Sequence, residues 1–141
     1  MTGECQSMAR TRAIRVYVCS RTRHADLWRF ARAAGAPIIS SWIDEAGVGE
    51  TDELGELWVR IHREIASATH VIVFAEAGDF PLKGALIEAG MALAANKPIR
   101  LVLGRDVVIE PRSCRPIGSW INHPLVGRFG SLEDALKIRI F

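Results

Sequence analysis

Residues 71–103 read VIVFAEAGDFPLKGALIEAGMALAANKPIRLVL, and this stretch decides the fold. Val71 to Ala75 are all apolar, the composition of a parallel strand covered on both faces rather than of one that alternates. A polar loop, Glu76 to Pro81, follows. Leu82 to Ala95 is then a helix, which Asn96-Lys97-Pro98 terminates before a second apolar run, Ile99 to Leu103. Strand, helix and strand in succession predict a parallel, right-handed crossover.

The same alternation extends in both directions. Ile14 to Cys19 reads as a first buried strand ending in the polar loop Ser20 to Arg23. Leu27, Phe30, Ala31 and Ala34 recur at helical spacing until Gly35-Ala36-Pro37, and a second strand is expected over Ile38 to Trp42. Beyond a loop from Asp44 to Glu50, Thr51 is expected to cap a helix with Asp52 and Glu53 in its first turn. Leu54, Leu57, Trp58, Ile61 and Ile65 form its apolar stripe. Past Gly104, Val107 to Ile109 is expected as a short strand, Arg112 to Pro124 as irregular chain, and Val126 to Phe129 as the last strand. Ser131 and Asp134 open a terminal helix through Ile138. The pattern is that of a single doubly wound parallel α/β sheet, flavodoxin-like or Rossmann-like, with helices on both faces. For a 2-1-3-4-5 strand order, ligands bind in the crevice beyond strands one and three, beside the loops Ser20–His24 and Glu76–Gly84.

Composition agrees with one domain. The chain has 141 residues, 49% hydrophobic and 24% charged, which suits one packed core and excludes a disordered chain. Residues 1–12 are expected as a loose tail and 13–141 as the domain. Eighteen basic against 16 acidic residues leave a net charge of +2, so nothing favours a nucleic acid polymer as partner. Cys5, Cys19 and Cys114 are odd in number and widely spaced, implying neither a disulfide framework nor a metal site and fitting a reducing cytoplasm. No apolar run is long enough to span a membrane.

One residue breaks the pattern. The Leu82–Ala95 helix carries two charges only, and at 100° per residue Glu88 shares a face with Gly84, Ala92 and Ala95. A carboxylate among small apolar side chains is costly unless it is paired or used. Gly84, one turn earlier, leaves room above it for a ligand. Asp79, in the loop before this helix, is a candidate proton donor or sugar ligand. Arg21, Thr22, Arg23 and His24 offer donors suited to an anion. Trp42 and Trp120 are candidates to stack on a base, whereas Trp28 and Trp58 lie on apolar stripes and read as core. Cys19 reads as a small apolar filler.

These residues carry a resemblance. Gly84-Ala85-Leu86-Ile87-Glu88-Ala89-Gly90-Met91-Ala92 followed by Asn96-Lys97-Pro98 resembles the G-[ST]-x-x-E-x-G-x-A…GKP signature of the nucleoside 2-deoxyribosyltransferase superfamily, which includes nucleotide N-glycoside hydrolases. Ile65 to Val73 and Val16 to Ser20 resemble its flanking segments. The resemblance implies a Glu88 nucleophile attacking the anomeric carbon, Ser20 beside the sugar or its 5′-phosphate, Gly84 and Ala85 at the substrate, and no metal or organic cofactor. It also implies a homo-oligomer in which a neighbouring subunit's C-terminal region, here the segment around Asn122, completes the site. Three positions depart from the pattern: Ile61 and His70, where acidic residues are expected, and Ala85 in place of Ser or Thr. The expected function is N-glycosidic bond hydrolysis or deoxyribosyl transfer on a nucleoside or nucleotide; the alternative is a non-catalytic nucleotide-binding or sensing domain of the same fold.

Overall fold

A computed structural model describes residues 13–47 and 51–138; the expected tail, residues 1–12, lies outside them. Four strands form one parallel sheet in the order β1 (Val16–Cys19), β2 (His70–Ala75), β3 (Ile99–Leu103) and β4 (Val126–Phe129). The register aligns Tyr17, Val71, Ile99 and Val126 in one row and Cys19, Val73, Leu101 and Arg128 in another. All four residues of β1 are fully buried, as are Val71, Ile72 and Val73, which is why these strands are apolar throughout and do not alternate.

Helices cover both faces. On one lies α1 (Ala25–Ala33), whose Trp28 meets Phe74 of β2 edge to face. The same face carries α4 (Leu132–Leu136), whose Ala135 carbonyl accepts from the Arg100 guanidinium on β3. On the other lie α2 (Leu54–Ser67) and α3 (Gly84–Ala94); α3 buries Ala85, Glu88, Ala89 and Ala92 toward the sheet. Both helix positions and the parallel crossovers agree with the sequence reading. Among the described residues no helix is long and apolar enough to cross a membrane.

The expected second strand is reduced to a bridge. Val16 donates to the Pro37 carbonyl and accepts from Ile39, pairing Ile38 with the outer edge of β1, and there the ladder stops. Side chains then replace it. The Val18 amide donates to Ser40 Oγ at 2.8 Å, and the Val18 carbonyl accepts from Trp42 Nε1 at 2.9 Å. Because both edge groups of Val18 are satisfied without a strand, the backbone is free to turn through Ser41–Asp44. The strand order is thus the expected 2-1-3-4-5 with its second member rudimentary.

Other boundaries shift for local reasons. Thr51 does not cap α2: its hydroxyl accepts from the Glu53 amide and the helix begins at Leu54. Helix α3 starts two residues later than expected, because Lys83 takes a left-handed φ of 56° that breaks the helical path before Gly84. Val107 to Ile109 pair with no strand. Ser131 does cap α4, its Oγ accepting from the Asp134 amide, but that helix ends at Leu136.

Ser40 is fully buried and its hydroxyl is the acceptor for a buried amide. Ser40→Ala is expected to lower unfolding stability by about 1–3 kcal/mol, the cost of an orphaned buried donor. Urea denaturation checks this; an unchanged midpoint would show that another group takes the Val18 amide.

Candidate active site

A cleft of about 310 Å³ opens where the sequence places the crevice, beyond the carboxyl end of β1. Its walls come from four segments. The first loop supplies Ser20, Arg21 and Thr22, and the turn that replaces the second strand supplies Trp42, Glu45 and Ala46. Leu57, Trp58 and Ile61 project from α2, and Lys83, Gly84, Ala85 and Glu88 from the start of α3.

Glu88 is 7% exposed. Its Oε1 accepts from the Tyr17 hydroxyl on β1, so the carboxylate is tied to the centre of the sheet. Among the described residues Oε2 has no hydrogen-bond partner. A Cβ built on Gly84 would lie 3.7 Å from that oxygen and 3.7 Å from the Trp58 ring. The absent side chain therefore leaves open space between a free carboxylate oxygen and an aromatic wall. Burial raises the Glu88 pKa from 4.5 to about 7; the Tyr17 hydrogen bond works against that rise and the charge of Glu64 adds to it. Burial, and then the charge of Glu88, push the Tyr17 phenol far above its ordinary range, so Tyr17 stays a proton donor at neutral pH. The fully buried Cys19 thiol is likewise pushed up by burial and by Glu88, consistent with an inert filler.

Of the residues expected at the site, Glu88, Ser20, Arg21, Thr22, Trp42, Gly84 and Ala85 line the cleft. Ser20 accepts from Trp28 Nε1 at 2.8 Å, which fixes its hydroxyl at the rim. Arg21 donates to the Pro81 carbonyl at 3.0 Å. Among the described residues it forms no ion pair, and neither does Lys83.

Five expected residues are not brought to the cleft. Asp79 is 1% exposed, and its carboxylate accepts from Arg23 Nε and His24 Nε2, both at 2.7 Å, and from the Glu76 amide at 2.8 Å. Burial alone would raise its pKa, but these three partners outweigh burial and hold it below the ordinary value. It is a fastening between the first loop and the β2–α3 loop. Arg23 and His24 are its partners, and His24 also packs edge to face on Phe74. Asn122 bonds locally, to the Ser119 carbonyl at 3.2 Å and to Cys114 Sγ at 3.4 Å, and Trp120 donates to the Ile117 carbonyl. Neither reaches the cleft of its own chain.

The reading of Trp58 as core needs correction, because it is half-buried and forms the wall facing Gly84. Tyr17, Lys83 and Glu45 were also not foreseen. Tyr17 had a signal: it is the one polar group in a wholly buried strand, and a buried phenol needs a partner. Of the two acidic positions of the family pattern, Ile61 is an apolar part of the cleft wall. Aligned on Ile65 and Ala68, the other falls on Thr69 rather than His70. Thr69 has a structural task, accepting from the Arg15 amide and donating to its carbonyl.

His24, Glu76 and Asp79 converge within 4.8 Å in metal-like fashion. Arg23 already donates to Asp79 Oδ1 and Glu76 Oε1, so both carboxylates of this group are paired with a permanent cation.

No family model matches the sequence, and no curated protein matches it. Among solved structures, the chain is similar to a 2-deoxyribosyltransferase from the psychrotolerant bacterium Bacillus psychrosaccharolyticus. The TM-score is 0.63 with 13% identity, over 89% of this chain and 92% of that one. The chain therefore has the fold of a deoxyribosyltransferase, in agreement with the resemblance in the Glu88 segment.

A carboxyl whose folded pKa lies above its unfolded value binds its proton more tightly in the folded state. The stability it contributes is fully present below pH 4.5 and is lost as pH rises through about 7. Glu88→Gln removes that titration and is expected to gain stability over wild type between pH 5 and pH 8, by up to about 3 kcal/mol. Denaturation at the two pH values checks this; parallel pH dependence in both proteins would show that Glu88 does not titrate in this range.

Proposed function

We propose that the cleft is the active site of an enzyme that breaks the N-glycosidic bond of a nucleoside or nucleotide, by hydrolysis or by deoxyribosyl transfer, with Glu88 as nucleophile. The observation that carries this reading is the asymmetry of Glu88: one oxygen is held by Tyr17 and the other is free, next to open space and an aromatic wall. The deoxyribosyltransferase fold supports it.

In the proposed reaction Oε2 attacks the anomeric carbon while the carbon–nitrogen bond breaks and its electron pair leaves with the base. The transition state is oxocarbenium-like, and the nearby carboxylate stabilises its positive charge. The resulting glycosyl ester is resolved by water, giving the free sugar, or by a second base, giving a new nucleoside. Tyr17 keeps the carboxylate in one orientation throughout. Trp42 and Trp58 supply stacking surface for the base. Arg21 and Lys83, without acidic partners, suit the sugar end and any 5′-phosphate on it. Asp79 acts as a positioning residue that fastens the two loops. No step of this scheme calls for a metal or organic cofactor. It belongs with a homo-oligomeric protein in the cytoplasm, where nucleosides and nucleotides are metabolised.

A second reading, a non-catalytic nucleotide-binding domain, is favoured by one observation. Ile61 and Ala85 line the cleft as apolar groups at positions where the family pattern has an acid and a hydroxyl. Base release from nucleosides and their 5′-monophosphates, followed by chromatography, separates the two. Glu88→Gln is expected to lower release by about 10³-fold or more while binding persists; equal release by the two proteins overturns the nucleophile assignment.

The pH profile is a further check. Attack needs the ionised carboxylate, and the free-protein pKa is about 7. Wild-type kcat/KM is therefore expected to rise about tenfold per pH unit below that value and to level off above it. A profile that falls with rising pH would make protonated Glu88 a general acid instead.

A further inference from the structure

We propose that Glu45 reads the base, selecting nucleosides whose leaving base presents N–H donors, an exocyclic amino group above all. The proposal rests on the glycosidic reading of the cleft and names the substrate class within it.

Apart from the Thr22 hydroxyl, a neutral group, and the two carboxylates, the polar side chains of the cleft wall are donors or already engaged. Arg21 and Lys83 can only donate. Ser20 Oγ accepts from Trp28 and donates to the Arg21 carbonyl. Thr51 Oγ1 accepts from the Glu53 amide, and Trp42 Nε1 donates to the Val18 carbonyl. Two carboxylates line the same cleft, Glu88 and Glu45. Glu88 is committed to Tyr17 and the sugar, which leaves Glu45 as the ionic acceptor for a base edge.

Glu45 is held in place for such a task. Its Oε1 and Oε2 accept from Nη1 and Nη2 of Arg60 on α2, at 2.9 and 2.5 Å, in a fork-to-fork pair. Each oxygen retains lone-pair capacity beyond this pair. The guanidinium also neutralises the carboxylate, so it stands half-buried in the cleft wall without adding net charge. A tether alone does not account for the arrangement. The same turn is already fastened by Arg32 to Asp44 and by the Ser41 amide to Glu64. Moreover, among the described residues the buried Nε of Arg60 has no partner, so the fork on Glu45 is held at the expense of an unpaired donor.

A carboxylate discriminates sharply between base edges. It accepts from an amino group such as cytosine N4, and from the adjacent ring N–H and amino group of a guanine-type edge. Against a carbonyl it sets lone pair against lone pair, and against a bare C–H it is left desolvated and unpaired.

The experiment is calorimetric binding to the Glu88→Gln protein, which separates recognition from turnover. The probes are 2′-deoxycytidine against 2′-deoxyuridine and 2′-deoxyguanosine against 2′-deoxyinosine, each as nucleoside and as 5′-monophosphate; the second pair differs only at an amino group, and the first exchanges the amino group and bare N3 of cytosine for the carbonyl and N3–H of uracil. The amino-bearing member of at least one pair is expected to bind about ten- to a hundredfold more tightly. Adding Glu45→Gln, whose amide both donates and accepts, is expected to bring that ratio to within about threefold, whereas Glu45→Asp keeps the charge and the preference. Should Glu45→Gln fail to fold, the ratios in its parent and in Glu45→Asp still decide. Binding of all four nucleosides without preference, or a preference that Glu45→Gln leaves intact, overturns the proposal. Preference without base release by the wild-type protein supports Glu45 and overturns the enzyme reading. No binding of any probe by folded protein overturns both.

Discussion

The contact between Tyr17 and Glu88 is the constraint on which the site depends. A helix facing a parallel sheet normally offers only apolar groups, and α3 does so at Ala85, Ala89 and Ala92. Placing a carboxylate in that layer is tolerable if the sheet returns a donor. The donor must come from the row of β1 that faces α3, and Tyr17 stands in that row beside Val71 and Ile99. Because the phenol cannot ionise at neutral pH next to a buried acid, its role as donor is fixed. The contact therefore orients one oxygen and leaves the other to the cleft. It also sets the affinity of the carboxylate for its proton, since burial raises the pKa and the phenol restrains it.

The cleft exists because the sheet is left unfinished at its first edge. A full second strand would continue alongside β1 and carry Trp42 in an extended chain. Instead Ser40 and Trp42 use their side chains to satisfy the amide and carbonyl of Val18, and the backbone turns outward. That turn delivers Trp42 and Glu45 to the same space as Glu88. On the other side the buried Asp79 gathers Arg23, His24 and the Glu76 amide, locking the first loop to the loop before α3. One wall is thus made by side chains imitating a strand, and another is held by an ion-pair knot, with Arg21, which has no acid partner among the described residues, between them.

Much of this was legible in the sequence, and the reason is periodicity. The fully apolar run Val71–Ala75 and the run Ile99–Leu103, apolar but for Arg100, have few alternatives to a covered parallel strand, and Glu88 stood out because its helix has no polar face for it. Local chemistry misled where a side chain competed with the backbone. Ile38 to Trp42 has the composition of a strand, yet nothing in composition says that a serine hydroxyl will take the place of a carbonyl. Asp79 and Trp58 failed in opposite senses. An acid in a loop before a helix suits either catalysis or a turn fastening, and only the positions of Arg23 and His24 decide. A tryptophan on an apolar stripe reads as core, but Gly84 opposite it removes the group that would have covered the ring. Glu45 and Arg60 are far apart in sequence, and their pairing follows from the turn that sequence reasoning did not anticipate.

The charge layout follows from the same economy of burial. A nucleophilic carboxylate gains reactivity when it is desolvated, but desolvation also favours its protonated form, so a useful site balances the two. Here burial carries Glu88 to about pH 7, the Tyr17 hydrogen bond stops it rising further, and the charge of Glu64 adds a smaller upward push. A positively charged transition state would shift the balance again, because developing charge at the anomeric carbon favours the ionised carboxylate at the moment it is needed. Glu45 lines the same cleft but is not among the groups that move the Glu88 pKa, and its own charge is met by the Arg60 fork. On the proposed reading the cleft therefore offers a second carboxylate as acceptor for a base while Glu88 stays ionisable for the sugar.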